Sequence, residues 1–166
     1  MSKQIKEGEL TKSEVELPAD GGQDEKQAFE WFRKAAEQRH AGAQYELGLI
    51  YSIGKGVTQD DTQAFEWFRK AAKQGHAKAQ LFVGISYSNG KVIPQDDKQA
   101  FEWLYKAAKQ GLAKAQYELG LMYLSGKGVA QDYKQAFEWF RKAAEQGDAD
   151  AQYELGLIYS KRKFTA

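Results

Sequence analysis

Few side chains in this sequence are suited to chemistry, and their spacing sorts them. His40 and His76 are the only histidines, 36 residues apart. Two ligands of one zinc must each come within about 2.1 Å of the metal, whereas packed helices stand about 8 to 10 Å apart. The pair therefore reads as two surface residues at turns and not as a metal site. The Gly-Lys-Gly tripeptides at 54–56 and 126–128 offer glycines to a phosphate, but they lack the GK[ST] ending and the preceding strand of a P-loop. Helix-stop glycines followed by a turn account for them. Asp60/Asp61 and Asp96/Asp97 pair carboxylates as a general acid and base would, yet in the next copy Tyr133 follows Asp132. Trp31, Trp67, Trp103 and Trp139 would make a stacking ladder for bases or sugars, but alanines flank each at helical spacing, so core is the expectation. No nucleophile, base and orienting residue converge. With no cysteine there is no thiolate ligand or nucleophile and no disulfide. The expectation is a protein that is not an enzyme and takes no cofactor or metal.

The regularity of these positions leads to the elements that carry them. QAFEWFRKAA begins at Gln27, Gln63 and Gln135, with QAFEWLYKAA at Gln99; AQYELG begins at Ala43, Ala115 and Ala151, with AQLFVG at Ala79. The period is 36 residues without insertion, and residues 41–76 agree with 113–148 at 27 of 36 positions, closer than burial alone demands. Each period holds two helical patterns. In one, Ala64, Trp67, Phe68, Ala71 and Ala72 recur at i, i+3, i+4, i+7 and i+8, an apolar stripe on one helix face. Asp24, Asp60, Asp96 and Asp132 each stand three residues before the opening glutamine and read as N-caps with a capping-box partner. Gly75, Gly111 and Gly147 stop the helix, with Arg39 in the first copy's place. In the other pattern Ala43, Leu47 and Tyr51 form a stripe, with Gly48, Gly84, Gly120 and Gly156 in mid-helix. Glycine there costs about 1 kcal/mol relative to alanine, so its repetition predicts close approach of a partner helix.

The predicted organisation is a flexible arm at 1–22, a single solenoid domain at 23–160 and a basic tail at 161–166. Within the solenoid a helix at 24–38 precedes repeats 41–76, 77–112 and 113–148 and a last helix at 149–160. One helix pair cannot bury its apolar face alone, and stacked neighbours make a continuous core. The combination of AQxxLGxxY, GKGVxQD and AxxWxxKAAxQG at this spacing resembles the Sel-1-like repeat family, relatives of the tetratricopeptide repeat. Its departures here are Val92 for the second loop glycine and Arg39 for the terminal one. The resemblance implies an all-α fold, a right-handed α/α solenoid superhelix that scaffolds protein complexes or binds peptides. A cysteine-rich, secreted branch of that family has been linked to β-lactam binding; without cysteine, this chain gives no reason to carry that activity over.

Composition narrows the partner. With 24 basic and 23 acidic residues the net charge is +1, without the basic excess that displaces counterions from nucleic acid. No run approaches the roughly 20 apolar residues that span a bilayer, so membrane insertion is not expected. The first residues lack an apolar h-region, which slightly favours the cytoplasm, although a signal trimmed from the chain would leave no trace. The expected partner is a protein or extended peptide on the first helix of each pair, which lines the concave surface in the tetratricopeptide fold. On that face stand Tyr45, Glu46 and Leu49, then Leu81, Phe82 and Ile85, then Tyr117, Glu118 and Leu121, then Tyr153 and Glu154. Phe82 is the exception, since its register mates are all glutamates. It is the expected specificity anchor, with Glu46, Glu118 and Glu154 selecting a basic peptide and Phe82→Glu expected to restore the repeat pattern and stability. Four such helices at about 9 Å span roughly 30 Å, enough for an extended segment of roughly 8 to 10 residues. An alternative is a periplasmic or secreted binder of peptidoglycan fragments or glycans. The last helix lacks a second helix to cover it, which leaves a surface for self-association or another protein.

Overall fold

The computed structural model describes residues 21–162, so most of the expected arm and tail lies outside the described residues. Among the described residues eight helices follow in order: α1 (Gly21–Glu37), α2 (Ala41–Ile53), α3 (Asp61–Lys73), α4 (Ala77–Asn89), α5 (Asp97–Lys109), α6 (Ala113–Ser125), α7 (Tyr133–Glu145) and α8 (Ala149–Arg162). α2 with α3, α4 with α5 and α6 with α7 form the pairs, and each pair stacks on the next through its second helix. The core is accordingly a row of small clusters, such as Ala64, Phe68 and Val83, then Ala107, Leu119 and Trp139. α1 begins before the expected residue 24, so Asp24 lies inside its first turn and does not cap it. The other three aspartates do cap: Asp60, Asp96 and Asp132 accept the amides of Gln63, Gln99 and Gln135 at 2.9, 3.0 and 3.0 Å. The reciprocal half of a capping box is absent at Gln99, whose side-chain amide turns to Glu102.

The mid-helix glycines have the packing reason their cost required. A β-carbon on Gly48 would stand 2.5 Å from the Phe68 ring, on Gly84 2.7 Å from Leu104 Cγ, and on Gly120 2.6 Å from the Phe140 ring. The second helix of each pair thus lays a large side chain on bare backbone of the first, and the pair closes further than an alanine would allow. Gly156 on α8 has nothing within 4 Å of that position.

A second tie was not anticipated from the sequence. Gln44, Gln80 and Gln116 are buried near the starts of α2, α4 and α6. Each donates its amide to a carbonyl at the end of the preceding helix, Ala36, Ala72 or Ala108, at 3.2 Å. Each also accepts, through Oε1, the amide of the glutamine 30 residues later: Gln74 at 2.7 Å, Gln110 at 2.8 Å and Gln146 at 2.8 Å. One amide side chain therefore joins three helices. Burying these groups unpaired would cost about 1–3 kcal/mol each, and among the described residues every buried side-chain polar atom has a partner.

The histidines also gain a function. His40 and His76 are N-caps of α2 and α4, their Nδ1 atoms accepting the amides of Ala43 and Ala79 at 3.1 and 3.2 Å. An accepting Nδ1 requires the neutral ring with its proton on Nε2. Asp148 does the same for Ala151 at 2.9 Å, while Leu112 at the equivalent place on α6 makes no such bond. Arg39 holds the left-handed conformation (φ 67°) that glycine takes at Gly75 (φ 91°), so this helix stop is kept by a residue for which it is strained. The tryptophans correct the expectation of a uniform core. Trp139 is 6% exposed and Trp31 is 65% exposed, with Trp67 and Trp103 between them. Each lies beneath the ammonium of the lysine three residues later, at 3.9 to 4.5 Å.

Two outcomes follow from these contacts. Gly120→Ala pushes a methyl into the Phe140 ring and should lower unfolding free energy by about 1–3 kcal/mol, whereas Gly156→Ala should raise it by up to about 1 kcal/mol; urea unfolding of both variants checks the contrast. Burial, then the charge of Lys78, holds the His76 imidazole below its ordinary pKa. Its contribution to stability is thus complete above the ordinary imidazole range and falls as pH drops through it, because the unfolded chain then takes up the proton more readily. His76→Asn keeps a cap and should remove that part of the slope, measured as the difference between wild-type and variant unfolding curves from pH 8 to 5 (roughly the span in which histidine titrates).

Candidate functional site

α2, α4, α6 and α8 carry the residues singled out in the sequence, and the structure divides them into packed and open ones. Tyr45 is more engaged than a free anchor would be. Its ring stacks on the His76 imidazole at 4.5 Å and tilts against Phe68 at 5.6 Å, so it bridges one repeat to the next. Burial, and secondarily the carboxylate of Glu46, pushes its phenol above the usual pKa, which keeps it neutral. Leu49 packs against the same cluster. Leu81 and Ile85 are half-buried against the α5 side of their pair. Tyr117 lies on Phe140 at 5.9 Å, and Leu121 packs beside it. These side chains join the repeats and are half-buried.

Phe82 differs. Its ring lies face to face on Phe68, with centroids 4.6 Å apart and planes 4° from parallel, yet it stays 38% exposed. Tyr45 approaches it at 6.2 Å, so three aromatic rings converge where α2, α3 and α4 meet. Against the expectation that Phe82→Glu restores stability stands this contact, since the exchange would remove a stacked pair. The same unit carries Leu104 where its neighbours have Phe68 and Phe140, so the glycine of α4 receives a leucine while Phe82 covers the preceding repeat's phenylalanine.

The charges on this face are not uniformly acidic. Lys114 on α6 reaches Glu118 at 3.5 Å and Asp150 on α8 at 3.6 Å, and its ammonium sits 4.6 Å from the Tyr117 ring. One lysine thus offsets two carboxylates at that end. At the other end Glu46, Asp24 and Glu25 surround an open cleft of about 420 Å³ between α1 and α2, floored by Phe32, Leu49 and Ile53, where Lys55 approaches Glu25 at 4.0 Å. Tyr153 is open to solvent at 66% exposure, and Glu154 beside it is half-buried. Among the described residues no three histidine or acidic side chains gather as a metal-binding group, and no helix is long and apolar enough to cross a membrane.

What sequence reasoning missed on this face is mutual packing. The signal for the Tyr45–His76 stack was present in the sequence: the tyrosine and histidine of repeat 41–76 are exchanged together for Leu81 and Leu112 in repeat 77–112, and both leucines pack against one cluster.

This architecture has known relatives. A Sel1 repeat protein from Oxalobacter formigenes matches with a TM-score of 0.77 and 40% identity over 81% of this chain. The protein c5321, a protective antigen present in uropathogenic Escherichia coli strains and displaying an SLR fold, matches with a TM-score of 0.76 and 45% identity over 80% of this chain. The chain spans only 39% and 28% of the lengths of these two proteins. Helicobacter pylori cysteine rich protein B matches at 27% identity and a TM-score of 0.60, over 78% of this chain and 93% of that one. No curated protein is similar enough to the chain to count as a match. Sel1 repeats match at residues 19–40, 41–76, 77–112, 113–148 and 149–163, in the same register as the helix pairs. The chain therefore belongs to the Sel1 repeat family, whose members are generally protein-interaction scaffolds.

Proposed function

We propose that this chain holds an extended peptide segment of a partner protein across the face formed by α2, α4 and α6, without catalysing a reaction on it. Phe82 carries this reading. A large aromatic ring stands in a position that is otherwise glutamate and stays partly exposed although it is stacked below. A rigid, half-covered ring of this kind loses little conformational freedom on binding, the property that makes aromatics frequent interface anchors. Glu46 and Glu118 stand one repeat to either side, and the Lys114 ion pairs blunt the negative charge on the α6 side. The segment that fits is one with an apolar side chain to lie on Phe82 and a basic group directed toward Glu46.

Two measurements test it. A photo-crosslinking residue at Lys78, one turn before Phe82, should capture the partner in the native cell, while the same residue at Lys109 on α5 should not. Phe82→Ser should then weaken that partner at least about tenfold, roughly 1.4 kcal/mol. Equal capture from both positions, or undiminished affinity in Phe82→Ser, would sink the proposal. Independently of any partner, Phe82→Glu should cost about 1 kcal/mol in urea unfolding through loss of the stack on Phe68.

A further inference from the structure

The two ends of the described solenoid carry the same sequences that pair with each other inside it. α1 contains Gln27–Ala36, which reads QAFEWFRKAA and is identical to the segment of α7 that packs on α6. α8 contains AQYELG, identical to the segment of α6 that receives α7. Among the described residues, α8 packs on α7 and on no later helix, and α1 packs on α2 and on no earlier one.

The surfaces that are sealed inside the array are open at these ends. Ala64, Ala100 and Ala136 are buried, whereas the equivalent Ala28 is exposed. Trp139 is sealed against Leu119, and the equivalent Trp31 is the most open of the four tryptophans. On α8, Gly156 is bare where Gly48 and Gly120 lie beneath phenylalanine rings. Gln152 is exposed where Gln44, Gln80 and Gln116 are buried, and it keeps only its bond to the Ala144 carbonyl.

From this continuity we infer that the chain associates head to tail with a second copy, α8 of one seated on α1 and in the adjoining α1–α2 cleft of the next. The internal interface assigns the contacts by register. Phe32 of the second copy covers Gly156, as Phe140 covers Gly120. Gln38 of the second copy donates to the Gln152 side chain, as Gln146 does to Gln116. Tyr153 stacks on the second copy's His40, as Tyr45 stacks on His76. Charge is compatible: Asp24 opens α1 beside Glu25, which Lys55 already approaches at 4.0 Å, and exposed Lys161 lies in the last turn of α8, which would meet that end in an antiparallel pair. The contact is heterologous, joining different surfaces on the two copies, so it extends into a row unless the superhelix closes it.

Sedimentation velocity of the full chain from about 10 μM to about 1 mM, the range of a moderate interface, should show a mass that rises past the dimer, with Trp31 emission shifting to the blue as it becomes covered. Gly156→Leu blocks only the α8 face and Ala28→Lys only the α1 face; both sites are open in the single chain, so each variant should melt as wild type or higher. Each variant alone should sediment as a monomer. Mixed one to one they should give a heterodimer and nothing larger, because one intact α8 face meets one intact α1 face. A wild type that stays monomeric throughout would overturn the inference, with the faces then covered by residues outside 21–162 or by another protein. Association that survives both substitutions, or a mixture that remains monomeric, would overturn it too.

Discussion

The absence of a side chain at one position per repeat governs the rest of this structure. Gly48, Gly84 and Gly120 let a phenylalanine or leucine of the following helix lie against bare backbone. That contact fixes how close the two helices come, and with it the distance from which every other contact is made. The glutamine bridges depend on it, since an amide spanning three helices forms hydrogen bonds of 2.7 to 3.2 Å only if all three are held near one separation. A propensity cost of about 1 kcal/mol per glycine is small beside the burial of a large side chain, about 1.5–3 kcal/mol. The sign of the trade is therefore clear within the array.

Much of the architecture was legible from spacing alone. The period, the helix pairs, the aspartate caps and the glycine stops are local features, each readable from a few neighbouring residues. The capping of α1 was misread because helix 21–37 starts ahead of the repeat pattern, leaving Asp24 within the first turn. The candidate face was only partly legible. Whether Tyr45 is an anchor or a strut depends on His76, which lies 31 residues away and across a helix pair. Sequence period gives the register of those residues but not the tilt of a ring. The glutamines escaped notice for a related reason: polar residues near helix ends are usually solvated, and only three-dimensional stacking makes them internal. The histidines were placed correctly at turns, yet their work as caps needed the Nδ1 geometry.

The division of labour between repeats is uneven. The first and third units are near copies, and the second departs from them at Phe82, Ile85, Leu104 and Tyr105. Those departures alter the packing at three places: a leucine under the α4 glycine, an aromatic cover over Phe68, and Tyr105 set edge-on to Trp139 at 6.1 Å. The middle unit thus carries several packing differences of its own, among them a partly exposed ring. This concentrates chemical individuality at the centre of the array and leaves the flanking units as generic spacers.

The glutamine bridges bear on how such a chain can change over generations. Each bridge involves a side chain, a backbone carbonyl and a second glutamine at a constant offset of 30 residues, with nothing peculiar to one location. A unit copied in register brings both glutamines with it, and its junctions are satisfied on arrival. Lengthening or shortening the array by whole units thus needs no matching mutation elsewhere, whereas a deletion of a few residues leaves buried amides without partners on both sides of the cut. The polar interior acts as a reading frame for the fold, permissive to whole-unit duplication and hostile to partial loss.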